Sequence, residues 1–541
     1  MSEQPLQEDL PTGSDEGRAE PVLNRSEGRQ LVRASALVAA LALVWKAIGV
    51  VRESIVAALF GANRAMDAFV VAKSVPDMVS TWIEMPIRSA IVPLFTRTLH
   101  GEGEEAAWRA ASNVLNTLAV ALLVIVAVLF AGSQLLVRML SAGFDDPAAW
   151  AESARLSQVL VQSVLFSVLA VVLGSISNVY HRQAVPALGR NLNAITVLAA
   201  VLLLGPRLGL MGYALGILAG SIVYFLVQLD VVWAHRRYYR FTLRPGAPEV
   251  REVIALALPL FIGLSGTRID VFIDRNFASF LPPGSLSILV YATVLSALIT
   301  DFALTIASSV LLPHFAHLVA AGRHEDLKRR IGQSIGGYLF LMVPATVFLC
   351  AGARPVVDLV YGRGEFTPEN AALTASVLAI LALADPAYGV GQILAQVYIG
   401  AGDTRTPMKV GFWRLGIKVA ISATLIAFLG IYALAIATAI SAVIRAVMLW
   451  RRLPGAIRPC GADLLRELRG LALPALGAIA AVTLLVRIVP PGSDLARQIV
   501  RAGLAFGAGA ATYLALAIAV GYPTAHDLVR RVGSLTGRGR R

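Results

Sequence analysis

Residues 43–95 read LVWKAIGVVRESIVAALFGANRAMDAFVVAKSVPDMVSTWIEMPIRSAIVPLF, two long apolar segments joined by a short Gly-containing turn. They nevertheless carry Lys46, Arg52, Glu53, Asp67, Lys73, Asp77, Glu84 and Arg88. In hydrocarbon each such charge costs roughly 2.5–3.5 kcal/mol even on the lenient insertion scale, so these side chains must face protein or water. Lys73, Asp77, Glu84 and Arg88 are spaced by four, seven and four residues. On a helix that spacing places them on one stripe about 60° wide. The stretch therefore predicts two membrane-spanning helices, the second forming the wall of a polar cavity.

The rest of the chain agrees with a membrane setting. Of its 541 residues 57% are apolar and 15% charged, and the mean hydropathy is +0.70. These values lie outside the range of soluble domains. A net charge of +13 could suggest nucleic acid, but the basic residues sit in short loops between apolar runs, where they encode orientation. Nucleic acid is therefore not an expected partner, whereas anionic lipid is. Cys350 lies in an apolar run and Cys460 in a basic loop, which supports neither a disulfide framework nor a metal site.

Apolar runs long enough to cross about 30 Å of hydrocarbon number about fourteen. Basic loops at 235–251, 323–330 and 451–469 and the tail RRVGSLTGRGRR fall on one side, with the N-terminus. The loops SAGFDDPAAWAES and FASFLPPGSLS fall on the other. The positive-inside rule then puts both termini in the cytoplasm. Residues 1–30 read as a disordered cytoplasmic tail with no signal peptide, and residues 523–541 as a basic cytoplasmic tail.

An internal repeat fixes the organisation. Ser89-Ala-Ile-Val-Pro93-Leu-Phe95 returns 220 residues later as Ser309-Val-Leu-Leu-Pro313-His-Phe315. GFDDPAAWAESARLSQVL at 143 echoes EFTPENAALTASVLAIL at 365, and NVYHRQAVPALGR at 178 echoes QVYIGAGDTRTPMK at 396. Six spans separate the copies, so they share one orientation, the parallel arrangement of two-lobed transporters. The expected fold is an all-α integral membrane protein with two pseudo-symmetric six-helix lobes, 31–240 and 250–455, followed by helices 13–14 at 465–522. The ladder Gly212, Gly216, Gly220 predicts a close helix contact.

The second lobe opens on GLSGTRIDVFIDRNFASF, with Arg268, Asp270, Asp274 and Arg275. Asp270 and Asp274, four apart, share a face. They are candidates for ion coupling or, alternatively, partners of the neighbouring arginines. Asp301, Asp385, Arg414 and Lys418 complete the embedded set. Summed by lobe, the embedded charges cancel, which implies that a bound anion would be held by arginines released from carboxylates and not by a standing positive field.

The run GVVRESIVAALFGANRAMDAFVVAKSVPDMV, with IVPLF, VLLPHF and GDTRTPMKV, resembles the MurJ (MviN) family of the multidrug/oligosaccharidyl-lipid/polysaccharide exporter superfamily. The resemblance implies a fourteen-helix flippase with a cationic cavity, moving lipid II or a related undecaprenyl-diphosphate-linked saccharide by alternating access. It implies that Arg52, with Lys46 or Arg88, meets the diphosphate, and it places Glu53 and Asp67 at family acids. Lys46 stands at a family arginine and so keeps the charge without the bidentate fork. Val79 and Val294 replace family arginines, and Lys418 and Ser422 fall at family asparagines of a sodium site. The candidate substrate-binding set is Arg52, Lys46, Arg88, Asp67, Lys73, Glu84 and Arg268, with no catalytic residue.

The expected protein is a monomeric transporter without cofactor, reset by proton, sodium or membrane potential. A cation-coupled multidrug exporter of the same superfamily is the alternative. Loops too short for a catalytic domain count against an integral glycosyltransferase. The chain also has no GxxxxGK[ST] loop to bind ATP.

Overall fold

The computed structural model describes residues 25–490, 495–526 and 530. The side chains of residues 25–36, 38, 262–268, 463 and 464 lie outside that description, as do most of those between 302 and 310. The tail expected at residues 1–30 is thus described only from Arg25, where a helix has already begun, and the tail expected at 523–541 lies largely outside the described residues.

Among the described residues the chain is all helix. The first eight helices are α1 (Arg25–Phe60), α2 (Arg64–Gly101), α3 (Glu104–Ala131), α4 (Ser133–Leu140), α5 (Pro147–Leu160), α6 (Gln162–Val179), α7 (Ala184–Leu208) and α8 (Leu210–Ala234). The next eight are α9 (Pro248–Ser279), α10 (Ser285–Ala320), α11 (His324–Ala351), α12 (Ala353–Tyr361), α13 (Pro368–Ala382), α14 (Asp385–Gly400), α15 (Arg405–Leu429) and α16 (Ile431–Arg452). The last two are α17 (Gly461–Ile488) and α18 (Leu495–Ala519). Ten segments, with α5–α6 and α13–α14 each counted as one, are long and apolar enough to cross a membrane among the described residues. α1 and α2, at 36 and 38 residues, are longer than any of these but are interrupted by the charges noted above. This is a multi-pass membrane protein.

The repeat seen in sequence is a repeat of elements. α2, α3, α4, α5, α7 and α8 each begin 220 or 221 residues before α10, α11, α12, α13, α15 and α16. Local chemistry explains why: Asp146 and Thr367 both cap a helix that starts with proline, the first accepting from Ala148 N and the second from Asn370 N. Such a cap satisfies a helix-start N–H that has no partner in its own helix, and proline at the first position loses nothing. The glycine ladder also packs as expected. A Cβ on Gly216 would lie 2.6 Å from the Ala200 side chain, and one on Gly220 2.8 Å from Val197, so α8 lies close along α7.

The halves are joined unequally at their two ends. At the end holding residues 61–63, 141–146 and 362–367, a single apolar core runs through both halves, from Phe69 and Tyr213 to Tyr291, Tyr361 and Phe366. Polar contacts bolt the same end: Glu365 N donates to Ala58 O (2.8 Å), Asn276 Nδ2 to Met139 O (2.7 Å) and Gly143 N to Ser279 Oγ (3.0 Å). At the opposite end, which carries the basic loops, the cores are separate. One is built on Phe95, Trp108 and Ile176, the other on Phe315, Ile331 and Val397. α9, counted from sequence with the second lobe, starts in the first of these cores through Val250, Val253 and Ala257. α17 and α18 pack on each other and on α11.

Two electrostatic clamps set helix positions. Asp67 is 2% exposed and accepts from Gly284 N (2.7 Å), Ser287 N (2.8 Å) and Ser287 Oγ (2.7 Å), so a first-half carboxylate sits on the N-terminus of α10. Orphan N–H groups and the helix dipole both favour an anion there. Gly284 adopts φ +90°, and a Cβ there would lie 2.6 Å from Ala62 O, so only glycine permits this approach. In the second clamp Lys418, 1% exposed, places its ammonium 2.9 Å from Asp270 and 2.7 Å from Asp274, while Arg414 lies 2.9 Å from Asp270. This ties α15 to α9.

Asp67→Ala should lower stability by about 3 kcal/mol, since three donors lose a charged acceptor. Thermal unfolding in detergent would show it as a large drop in midpoint, and an unchanged midpoint would show that the clamp contributes nothing. Lys418→Ala, which strands two buried carboxylates, should cost about 3–5 kcal/mol. The pair Lys418→Met with Asp274→Asn, which removes both members and spares Arg414–Asp270, should cost far less in the same assay.

Candidate transport cavity

A cavity of about 1170 Å³ lies inside the first half and is walled by α1, α2, α6, α7, α8 and α9. It extends from Leu140, near loop 141–146, to Asn178 and Gln183 beside the basic end. The stripe predicted on α2 faces it: Lys73, Asp77, Glu84 and Arg88 all line the cavity, despite Pro76 and Pro86 within the helix. Arg52 of α1 joins them.

The pairing of these charges decides their availability. Arg52 donates to its neighbour Glu53 through Nη2 (2.7 Å) and Nε (3.2 Å). Lys73 holds Asp77 at 2.6 Å, an i,i+4 pair on one helix face. Arg88 has no ion-pair partner within 4 Å among the described residues, and neither have two cations that sequence reasoning did not place here, Arg190 of α7 and Arg275 of α9. Arg275 read as a member of the second lobe. Only the fold brings α7 and the end of α9 to the cavity that α2 lines.

The expectation of a charge-neutral lobe is therefore corrected. Five cations line the cavity, Arg52, Lys73, Arg88, Arg190 and Arg275, against two carboxylates, Asp77 and Glu84. With Glu53 counted beside Arg52, five cations still face three carboxylates, the surplus coming from Arg190 and from Arg275, which the second half lends. Beside the charged stripe the cavity has an uncharged polar lining, with Ser163, Ser167 and Ser175 of α6 and Asn193 of α7. The spacing of four between Ser163 and Ser167 was a readable signal for a hydroxyl-lined helix face.

The remaining predicted site residues stand elsewhere. Asp67 lies sealed at the closed end with its carboxylate spent on α10, so its position does not fit the expected substrate contact. Lys46 does not line the cavity and approaches Asp301 of α10 at 4.0 Å across the two halves. The Arg268 side chain lies outside the described residues. Asp270 and Asp274 pair with Lys418 and Arg414, and among the described residues Arg275, beside them in sequence, is not an ion-pair partner of either. Among the described residues no three His, Cys, Asp or Glu side chains converge as a metal site would need.

Comparison with known proteins gives this geometry a family. A family model described as lipid II flippase MurJ matches residues 56–490. A probable lipid II flippase MurJ of Rhizobium meliloti is 29% identical over 435 residues, 78% of this chain and 80% of that protein. The corresponding protein of Vibrio cholerae is 26% identical over 438 residues, covering 79% and 83%. Among solved structures, a lipid II flippase MurJ in an inward closed conformation superposes with a TM-score of 0.74 at 20% identity, covering 91% of this chain and all of that one. A MATE-family multidrug transporter of the MOP superfamily in its inward-facing conformation reaches 0.60 at 15% identity, covering 80% and 94%. At those identities the structures establish a shared fold. The family match covers most of the chain, and with it this transporter, which is not an enzyme, belongs to the lipid II flippase MurJ family.

Proposed function

We propose that the protein translocates an undecaprenyl-diphosphate-linked saccharide, lipid II or a close relative of it, across the bacterial inner membrane by alternating access. The observation that supports this reading is the cationic surplus of a deep first-half cavity, where Arg88, Arg190 and Arg275 hold no carboxylate among the described residues. A diphosphate is the natural ligand for guanidinium groups, which bind phosphate oxygens through paired N–H donors. Arg52 and Lys73 are tied to Glu53 and Asp77 and would join as those pairs exchange for phosphate.

The basic loops make their end cytoplasmic, with both termini there, and suit it to contact anionic lipid headgroups. The separate cores at that end and the shared core at the other describe a molecule closed towards the outside. Cargo would enter between the halves from the cytoplasmic side with its lipid tail left in the bilayer. Release requires the bolts at the outer end to part, among them the contacts of Asp67 with α10. We assign the driving force to the membrane potential, about 2.3 kcal/mol per charge per 100 mV, because Lys418 and Arg414 already occupy the Asp270 and Asp274 carboxylates. A drug exporter working on cationic amphiphiles would place like charges together in this cavity, and that disfavours the alternative.

Depletion of the protein should cause a diphosphate-linked glycolipid to accumulate in the inner leaflet. In reconstituted vesicles Arg275→Ala and Arg88→Ala should each slow translocation of such a lipid at least tenfold, the scale of one lost charge-assisted contact, while leaving thermal unfolding unchanged. Full activity in both variants would refute the assignment of these arginines to the diphosphate.

A further inference from the structure

Glu84 is the one cavity-lining carboxylate that the observed ion pairs leave without a cation among the described residues. Its sequence neighbour at i+4 is Arg88, and glutamate four residues before a cation is the favourable order for a helical ion pair. That pair does not form. Pro86 stands between the two, so the helix lacks the N–H that would bond Trp82 O, and Arg88 projects exposed along the cavity. Asp77, on the same stripe, does have its cation, with the Lys73 ammonium at 2.6 Å.

An isolated carboxylate at this depth is costly, and the cavity is where a partner could reach it. Its hydrogen-bonding surroundings are hydroxyls, and the nearest interacting charge is another carboxylate, Asp77. Ser167 of α6 is the hydrogen-bonding neighbour of Glu84, and Ser167 Oγ lies 3.3 Å from Ser80 Oγ. A carboxylate flanked by two hydroxyl oxygens offers three acceptors to a group that has three donors, which is the hydrogen-bonding description of a primary ammonium. The pairing of Lys73 with Asp77 is an internal example of the same chemistry on the same wall.

We infer that the cargo carries a primary ammonium in addition to its diphosphate, and that Glu84, with Ser80 and Ser167, receives it. The cavity then selects a zwitterionic head group: phosphate oxygens on the unpaired arginines, ammonium on Glu84. This rests on the translocation reading above and assigns Glu84 as the residue that recognises an amine on the cargo's head group.

The test compares two cargoes in vesicles containing the full-length protein: an undecaprenyl-diphosphate glycopeptide with a free primary amine, and the same lipid with that amine acetylated. The wild type should translocate the amine form at least tenfold faster. In Glu84→Gln that preference should vanish, and in Glu84→Asp, which keeps the charge, it should return in part. Equal rates for the two lipids in the wild type would overturn the inference. So would a Glu84→Gln variant that slows both lipids alike with the preference intact, the result expected of a proton carrier. If the wild type moved neither lipid, the translocation reading itself would fall, and this inference with it.

Discussion

A charge buried at bilayer depth must be answered by a counter-charge, by water or by cargo, and that constraint orders the whole molecule. The ionic side chains fall into three groups by how they are answered. Asp67, Asp270, Asp274, Arg414 and Lys418 are matched within the protein and fix helices. Arg52 with Glu53 and Lys73 with Asp77 are matched but face the cavity, so their pairing can be exchanged. Arg88, Arg190, Arg275 and Glu84 face the cavity without an ion pair among the described residues, and these are the groups with capacity left for a ligand. Burial alone does not separate function from structure, since Lys418 is among the most buried residues of the chain and belongs to the first group.

The same constraint explains which parts of the site were legible in sequence. A stripe on a single helix is encoded by spacing, so Lys73, Asp77, Glu84 and Arg88 could be assigned to one cavity before any coordinates. Arg190 and Arg275 could not, because their place depends on how α7 and α9 cross α2, which no local pattern records. Asp67 misled for a different reason. A carboxylate near a helix start reads as a cap or as a site residue, but the helix it holds begins 218 residues further on at Ser285, in the other half. The fold itself was more legible than the site. Capping residues, prolines and glycines recur at one offset, and each is a local rule that survives without knowledge of the tertiary contacts.

Closure at one end only follows from where the hydrogen bonds between halves are spent. Backbone groups at Ala58, Gly61, Ala62 and Met139 are reached by partners from the second half, and apolar packing through Tyr291 and Phe366 continues across the same junction. At the basic end the halves keep cores of their own, so parting them there sacrifices little apolar contact. The energetic cost of opening thus differs between the two ends, and such a difference is what a carrier that exposes one side at a time must adjust during its cycle.

Duplication of the fold did not carry duplication of the chemistry. Shifted by 220 residues, Lys73, Asp77, Glu84 and Arg88 of α2 fall on Thr293, Ala297, Leu304 and Ser308 of α10, so the second half has no charged stripe on the matching helix. The reverse comparison is as uneven. Asp270 and Asp274 correspond to Val50 and Ser54 of α1, while Arg414 and Lys418, at an offset of 221, correspond to Asn193 and Val197 of α7. Asn193 and Val197 line the first-half cavity. The region between α1 and α7 that is left open for a ligand in one half is, between α9 and α15 in the other, filled by an ammonium and two carboxylates bound to each other. One half therefore meets the constraint on buried charge with an internal salt bridge and is held rigid by it. The other leaves part of its charge unanswered, and its cavity is complete only when a cargo of complementary charge arrives.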